Sequence, residues 1–193
     1  MRRECAALLA LTGMALPAQD ISGGVFMGLS IPVGDLEDKF GYGTNQYFGT
    51  HVGGFVDITL TPHHEVRTHL SYHDLPGSAW NGWNNQNDFK FLQLGADWIY
   101  HFRNPSQGWY TIAGASINSI KEDSSLNFYY YSPSGYTKSG LLGIRGGGGY
   151  AFNKLFSVEG TVNQVFLNQN GGAPFGLDTA IWVQASAVFH FGR

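Results

Sequence analysis

From about residue 21 onward, apolar and polar residues alternate along the chain with a period of two, the spacing that sends successive side chains to opposite faces of a strand. The alternation predicts eight strands, near 22–34, 47–61, 65–75, 88–102, 108–121, 139–152, 155–168 and 178–191. In the last of these, Ile181, Val183, Ala185, Ala187, Phe189 and Phe191 alternate with Trp182, Gln184, Ser186, Val188 and His190. In the fourth, Leu92, Leu94, Ala96, Trp98, Tyr100 and Phe102 alternate with Gln93, Gly95, Asp97 and His101, and in the second, Val52, Gly54, Val56, Ile58 and Leu60 alternate with His51, Gly53, Asp57 and Thr59.

The connections alternate between short and long. Residues 61–64, 103–107 and 153–154 form short ones, with Pro62 and Pro105 inside them. The stretches 35–46, 76–87, 122–138 and 169–177 are long and polar. Short turns on one side and longer loops on the other are what an even-stranded membrane barrel produces. The glycine-rich polar set fits a tight interior better than a solvent face. Trp98, Tyr100, Phe102, Tyr150, Phe152, Phe189 and Phe191 gather on the apolar set at the short-turn side, as in an interfacial aromatic girdle. The chain is therefore expected to be all-β: a closed eight-stranded antiparallel transmembrane β-barrel with short periplasmic turns and longer extracellular loops. The alternative is a soluble barrel holding a greasy pocket, with the same apolar set turned inward.

Composition favours the membrane reading. Charged residues make up 13% of the 193-residue chain and aromatics 15%, with 27 glycines, whereas a soluble domain carries about a quarter charged residues. The net charge of −3 gives no reason to expect a nucleic-acid partner. Arg2 and Arg3, the mostly apolar run from Ala6 to Leu16, and Pro17-Ala18 read as an export signal cleaved near Ala18. The domain division is thus 1–18 signal peptide and 19–193 barrel. The only cysteine, Cys5, lies in the signal, so no disulfide is expected in the mature chain.

The chemistry-bearing residues fall mainly on the inward set. Asp57, Arg67, Asp97, Arg145 and Glu159, with His51, His69 and His101 nearby, are expected to form a structural charge network, because buried charges persist only when paired and hydrogen-bonded. Counted from the short turns, Asp57 faces Arg67 or His69, and Arg145 lies on the strand next to that of Glu159, offset by a few residues. His69 and His73 share a face but stand ~13 Å apart along the strand, too far to hold one metal ion. The run Gly146–Gly149 lacks the Lys-Ser/Thr of a phosphate loop and lies in a strand. No cofactor or metal is expected. His69-Leu70-Ser71 resembles part of the motif of PagL-type lipid A deacylases, which are also eight-stranded barrels; that resemblance implies His69 and Ser71 as an alternative catalytic pair acting with a carboxylate. Arg67 stands where that family has Phe, and no Asn follows Ser71. The aromatic residues of 128–131, with Trp80 and Trp83, are read as an upper girdle or as partner-binding loops.

The signal, the eight alternating strands, the opening Gly23-Gly24-Val25-Phe26-Met27-Gly28 followed by Val33-Gly34-Asp35-Leu36, the interior charges and the closing Ala-Val-Phe-His-Phe together resemble the OmpA/OmpX-like eight-stranded outer-membrane barrels. The resemblance implies a monomer in the bacterial outer membrane, in contact with its lipid. Such a protein has a structural or surface-interaction role through its loops, for a surface ligand not named by the residues, and no catalysis. The alternatives are a lipid A deacylase and a narrow small-solute channel.

Overall fold

The computed structural model describes residues 20–34, 36, 48–76, 87–103, 105–124, 136–167 and 179–192. The export segment, the aromatic run 128–131, Trp80 and Trp83 lie outside the described residues. Eight strands run β1 (Ile21–Val33), β2 (Gly49–Thr61), β3 (His64–Leu75), β4 (Asn87–His101), β5 (Gly108–Ser124), β6 (Tyr136–Ala151), β7 (Phe156–Phe166) and β8 (Thr179–Phe191). Each pairs antiparallel with its sequence neighbours, and β1 pairs with β8 to close the barrel. Among the described residues no helix is long and apolar enough to cross a membrane.

Local chemistry fixes the short turns. Thr61 Oγ1 accepts from the His63 and His64 amides at 3.3 and 3.1 Å. Asn153 Oδ1 accepts from the Leu155 and Phe156 amides at 2.8 and 2.9 Å. Both are side-chain mimics of a backbone turn. Gly108 enters β5 with φ of 119°, a conformation that favours glycine.

Two features differ from the sequence reading. Strands β5 and β6 reach into the stretch read as the loop 122–138, with Glu122 opposite Tyr136 in the ladder. A hairpin extending past the apolar band needs no greasy face, so period-two apolarity stops before the pairing does. The inward set is also not polar throughout. At the end where the long connections meet, Leu36, Leu75, Phe89, Phe91, Ile120, Leu141, Val165, Leu167 and Trp182 pack inside the barrel. A smaller apolar cluster of Ile99, Tyr110, Ile112 and Ala151 lies at the short-turn end. Near Phe89-Lys90-Phe91-Leu92 both faces carry apolar residues, and the alternation loses its contrast.

Elsewhere the faces are sharply divided. Leu92, Leu94, Val52, Leu70, Ile117 and Ile144 are each half or more exposed, while Asp57, Arg67, Asp97, Arg145 and Glu159 are buried. The exposed aromatics Trp98, Tyr100, Phe102, Trp109, Phe152, Phe189 and Phe191 ring the short-turn end. Large apolar side chains facing out around a charged interior are stable where the surrounding solvent is hydrocarbon, and closure of the sheet leaves no ladder edge there. The molecule is a transmembrane β-barrel.

Candidate functional site

Four of the interior charges lie along one cross-strand row of the sheet. Asp57 on β2 is opposite Arg67 on β3. Arg67 is opposite Asp97 on β4, Asp97 opposite Gly114 on β5, and Gly114 opposite Arg145 on β6. The row reads acid, base, acid, gap, base. Gly114 makes the gap: a Cβ there would collide with Asp97 Oδ1, so glycine lets Asp97 and Arg145 meet across β5.

Glu159 on β7 lies off this row and ties its two arginines together. Arg67 donates through Nε to Asp57 Oδ1 at 2.8 Å and through Nη1 to Glu159 Oε1. Arg145 donates through Nη1 to Asp97 Oδ2 at 3.1 Å and through Nη2 to Glu159 Oε2 at 3.4 Å. Every one of these side chains is at most 2% exposed. The Tyr110 hydroxyl donates to Glu159 Oε1 at 3.0 Å. The Arg67 guanidinium lies 4.2 Å from the Phe55 ring centroid, a cation–π contact strengthened by the burial of both groups. Two arginines face three carboxylates here. The outer two carboxylates each meet a histidine ring: His69 Nδ1 is 3.3 Å from Asp97 Oδ2, and His190 Nδ1 is 3.6 Å from Asp57 Oδ2. A third histidine, His101, pairs with Glu65 at 2.9 Å.

A tier of histidine, serine and amide side chains sits between this layer and the apolar end cluster. His51 bridges Ser30 Oγ and Ser186 Oγ at 3.0 and 2.8 Å and stacks on His73. Gln184 bonds His73 Nδ1 at 3.0 Å and accepts from Asn163 Nδ2 at 2.7 Å. The two members of the alternative catalytic pair are not brought together. His69 leans on Asp97, while Ser71 Oγ bonds His73 Nε2 at 2.9 Å; both are buried inside the sheet. Gly95 makes the space for His69, since a Cβ there would strike its ring. Among the described residues no group of three or more His, Cys, Asp or Glu could hold a metal ion.

Sequence parity places His190 inward without assigning it a partner, and it does not mark Tyr110. Around Tyr110, in Trp109-Tyr110-Thr111-Ile112, apolar residues fall on both faces, so parity carries no signal.

An outward apolar band around a packed ionic interior defines a small transmembrane barrel, and its fold is that of the eight-stranded outer-membrane barrels of the OmpA/OmpX type. The N-terminal barrel domain of Pseudomonas aeruginosa OprF matches with a TM-score of 0.52 at 17% identity, covering 90% of this chain and 98% of that one. Ail of Yersinia pestis, solved with the heparin analogue sucrose octasulfate, matches with 0.55 at 13% identity, covering 89% and 99%. Neisserial surface protein A matches with 0.54 at 14% identity, covering 90% and 97%. No protein-family model matches the chain, and no curated protein matches it by sequence.

Proposed function

We propose that this chain is an integral protein of the bacterial outer membrane whose barrel is a closed structural scaffold, with any surface interaction carried by the four long connections. The observation that carries this reading is the filled interior. An ionic layer and an apolar end cluster containing Trp182, Phe91 and Leu75, each essentially unexposed, occupy the lumen in series. Eight strands enclose a space that side chains can fill, and here the ionic layer and the apolar end cluster do so. The short turns face the periplasm and the long connections the exterior, the arrangement such barrels share. The barrel acts as a monomer and needs no cofactor.

Catalysis is not part of this proposal. Ser71 is engaged by His73 rather than His69, and both lie behind the sheet, away from the lipid face where an acyl ester would arrive. After expression in a Gram-negative host, the protein is expected in the outer-membrane fraction, with a mature N terminus near Gln19 and the masses of extracted lipid A unchanged. Recovery as a soluble periplasmic protein overturns the placement; loss of an acyl chain from lipid A overturns the non-catalytic reading.

The closed lumen makes a separate prediction. In planar bilayers the purified barrel is expected to give no discrete conductance steps. Regular steps from the wild type would show that ions pass the Trp182 cluster, and the channel alternative would replace the scaffold.

A further inference from the structure

The lipid-facing surface is not uniformly bulky. Across β6, β7 and β8, outward Gly148 lies opposite Gly160, which lies opposite Ala185. These small residues floor a groove of about 750 Å³ whose lining includes Trp109, Tyr150 and Phe152. Trp109 and Tyr150 are opposite each other on β5 and β6, with rings edge to face at 5.1 Å. The same two rings line a second hollow of about 600 Å³ at the short-turn end, together with Phe102, Arg103, Gln107 and Gly108. Arg103 and Gln107 are exposed, and the described lining of this hollow holds a guanidinium and no carboxylate. An apolar trough in the hydrocarbon layer thus shares two interfacial aromatics with a polar hollow that carries a permanent positive charge.

We propose that this composite is a binding site for one anionic phospholipid of the leaflet next to the short turns, with an acyl chain lying in the Gly148–Gly160–Ala185 groove and the phosphate beside Arg103. The inference rests on the membrane reading of this face. The charge decides the occupant: a second copy of the barrel would need only the groove, whereas a lipid with an anionic headgroup uses both halves. A groove left without atoms forfeits dispersion contacts along its lining, and a flexible acyl chain restores them.

The test is native mass spectrometry of the full barrel, released from detergent after incubation with equal amounts of phosphatidylglycerol and phosphatidylcholine of identical chains. The wild type is expected to retain phosphatidylglycerol about fivefold over phosphatidylcholine, the factor that one cation near an anionic headgroup contributes. Arg103→Gln should bring the two to parity. Gly160→Leu with Ala185→Leu should abolish retention of both while the barrel still shows heat-modifiable migration in gels; a Cβ at Gly160 has its nearest neighbour, the Gln184 carbonyl oxygen, at 4.0 Å. Equal retention by the wild type, a preference that survives Arg103→Gln, or unchanged retention after groove filling overturns the site. A lipid-free dimer broken by the groove-filling pair assigns the groove to a second copy instead. A barrel that stays monodisperse without detergent and carries no lipid overturns the membrane reading itself, a result distinct from failure of the site.

Discussion

Arg67→Ala is expected to lower the unfolding free energy of the barrel by about 3–5 kcal/mol, the cost of removing one partner from a buried ion pair. Arg67 neutralises Asp57 through Nε and Glu159 through Nη1 and packs over Phe55. Its loss takes the guanidinium partner from Asp57 and leaves Glu159 with Arg145 as its one guanidinium. Water cannot readily repair the gap, because every side chain of the layer is at most 2% exposed. The measurement is urea unfolding in lipid vesicles followed by tryptophan fluorescence. Arg67→Met combined with Asp57→Leu should cost less than Arg67→Ala alone, since it removes a charge of each sign and keeps the volume filled. A loss under about 1 kcal/mol for Arg67→Ala, the range of a solvated pair, would show that the network is hydrated and not a structural core.

The second large effect separates lipid from water as the outer solvent. Leu94, at the middle of β4, is 57% exposed, and Leu155, in a short turn, is 63% exposed. By exposure alone the two are equivalent. In a bilayer they are not: arginine on the lipid face costs about 2–4 kcal/mol at the midplane and about 0–1 near the interface. Leu94→Arg is therefore expected to destabilise the barrel by about 2–4 kcal/mol, and Leu155→Arg by no more than about 1, under the same unfolding assay. Equal and small effects at both positions would mean that water bathes the whole outer face.

The inversion of faces was legible because period two is a rigid rule and Leu92, Leu94, Val183 and Phe189 all obey it. Turn chemistry made part of the register legible as well: counting outward from Thr61-Pro62-His63-His64 places Asp57 by Arg67 or His69, and the ladder selects Arg67. Contacts that cross a strand or the lumen were not legible. Asp97 reaches Arg145 over Gly114, which requires knowing that the intervening inward residue has no side chain at that height. Arg67 reaches Glu159 from β3 to β7, a distance set by barrel stagger and diameter rather than by any local spacing. The apolar end cluster was missed for a different reason: Phe89 and Phe91 point inward beside the outward Leu92, and alternation cannot sort residues that are greasy on both sides.

The pairing of β1 with β8 has a consequence for biogenesis. The strand that leaves the ribosome first finds its second neighbour only when the strand made last is available, the most non-local contact the chain can form, and contacts of that kind are slow to make. A polypeptide stopped before Thr179 would present two open ladder edges, on β1 and β7, each a template for pairing with another chain. Completion of the hoop, not growth of any single hairpin, is thus the step that commits the nascent chain to its native state, and until then it depends on something else to shield its margins.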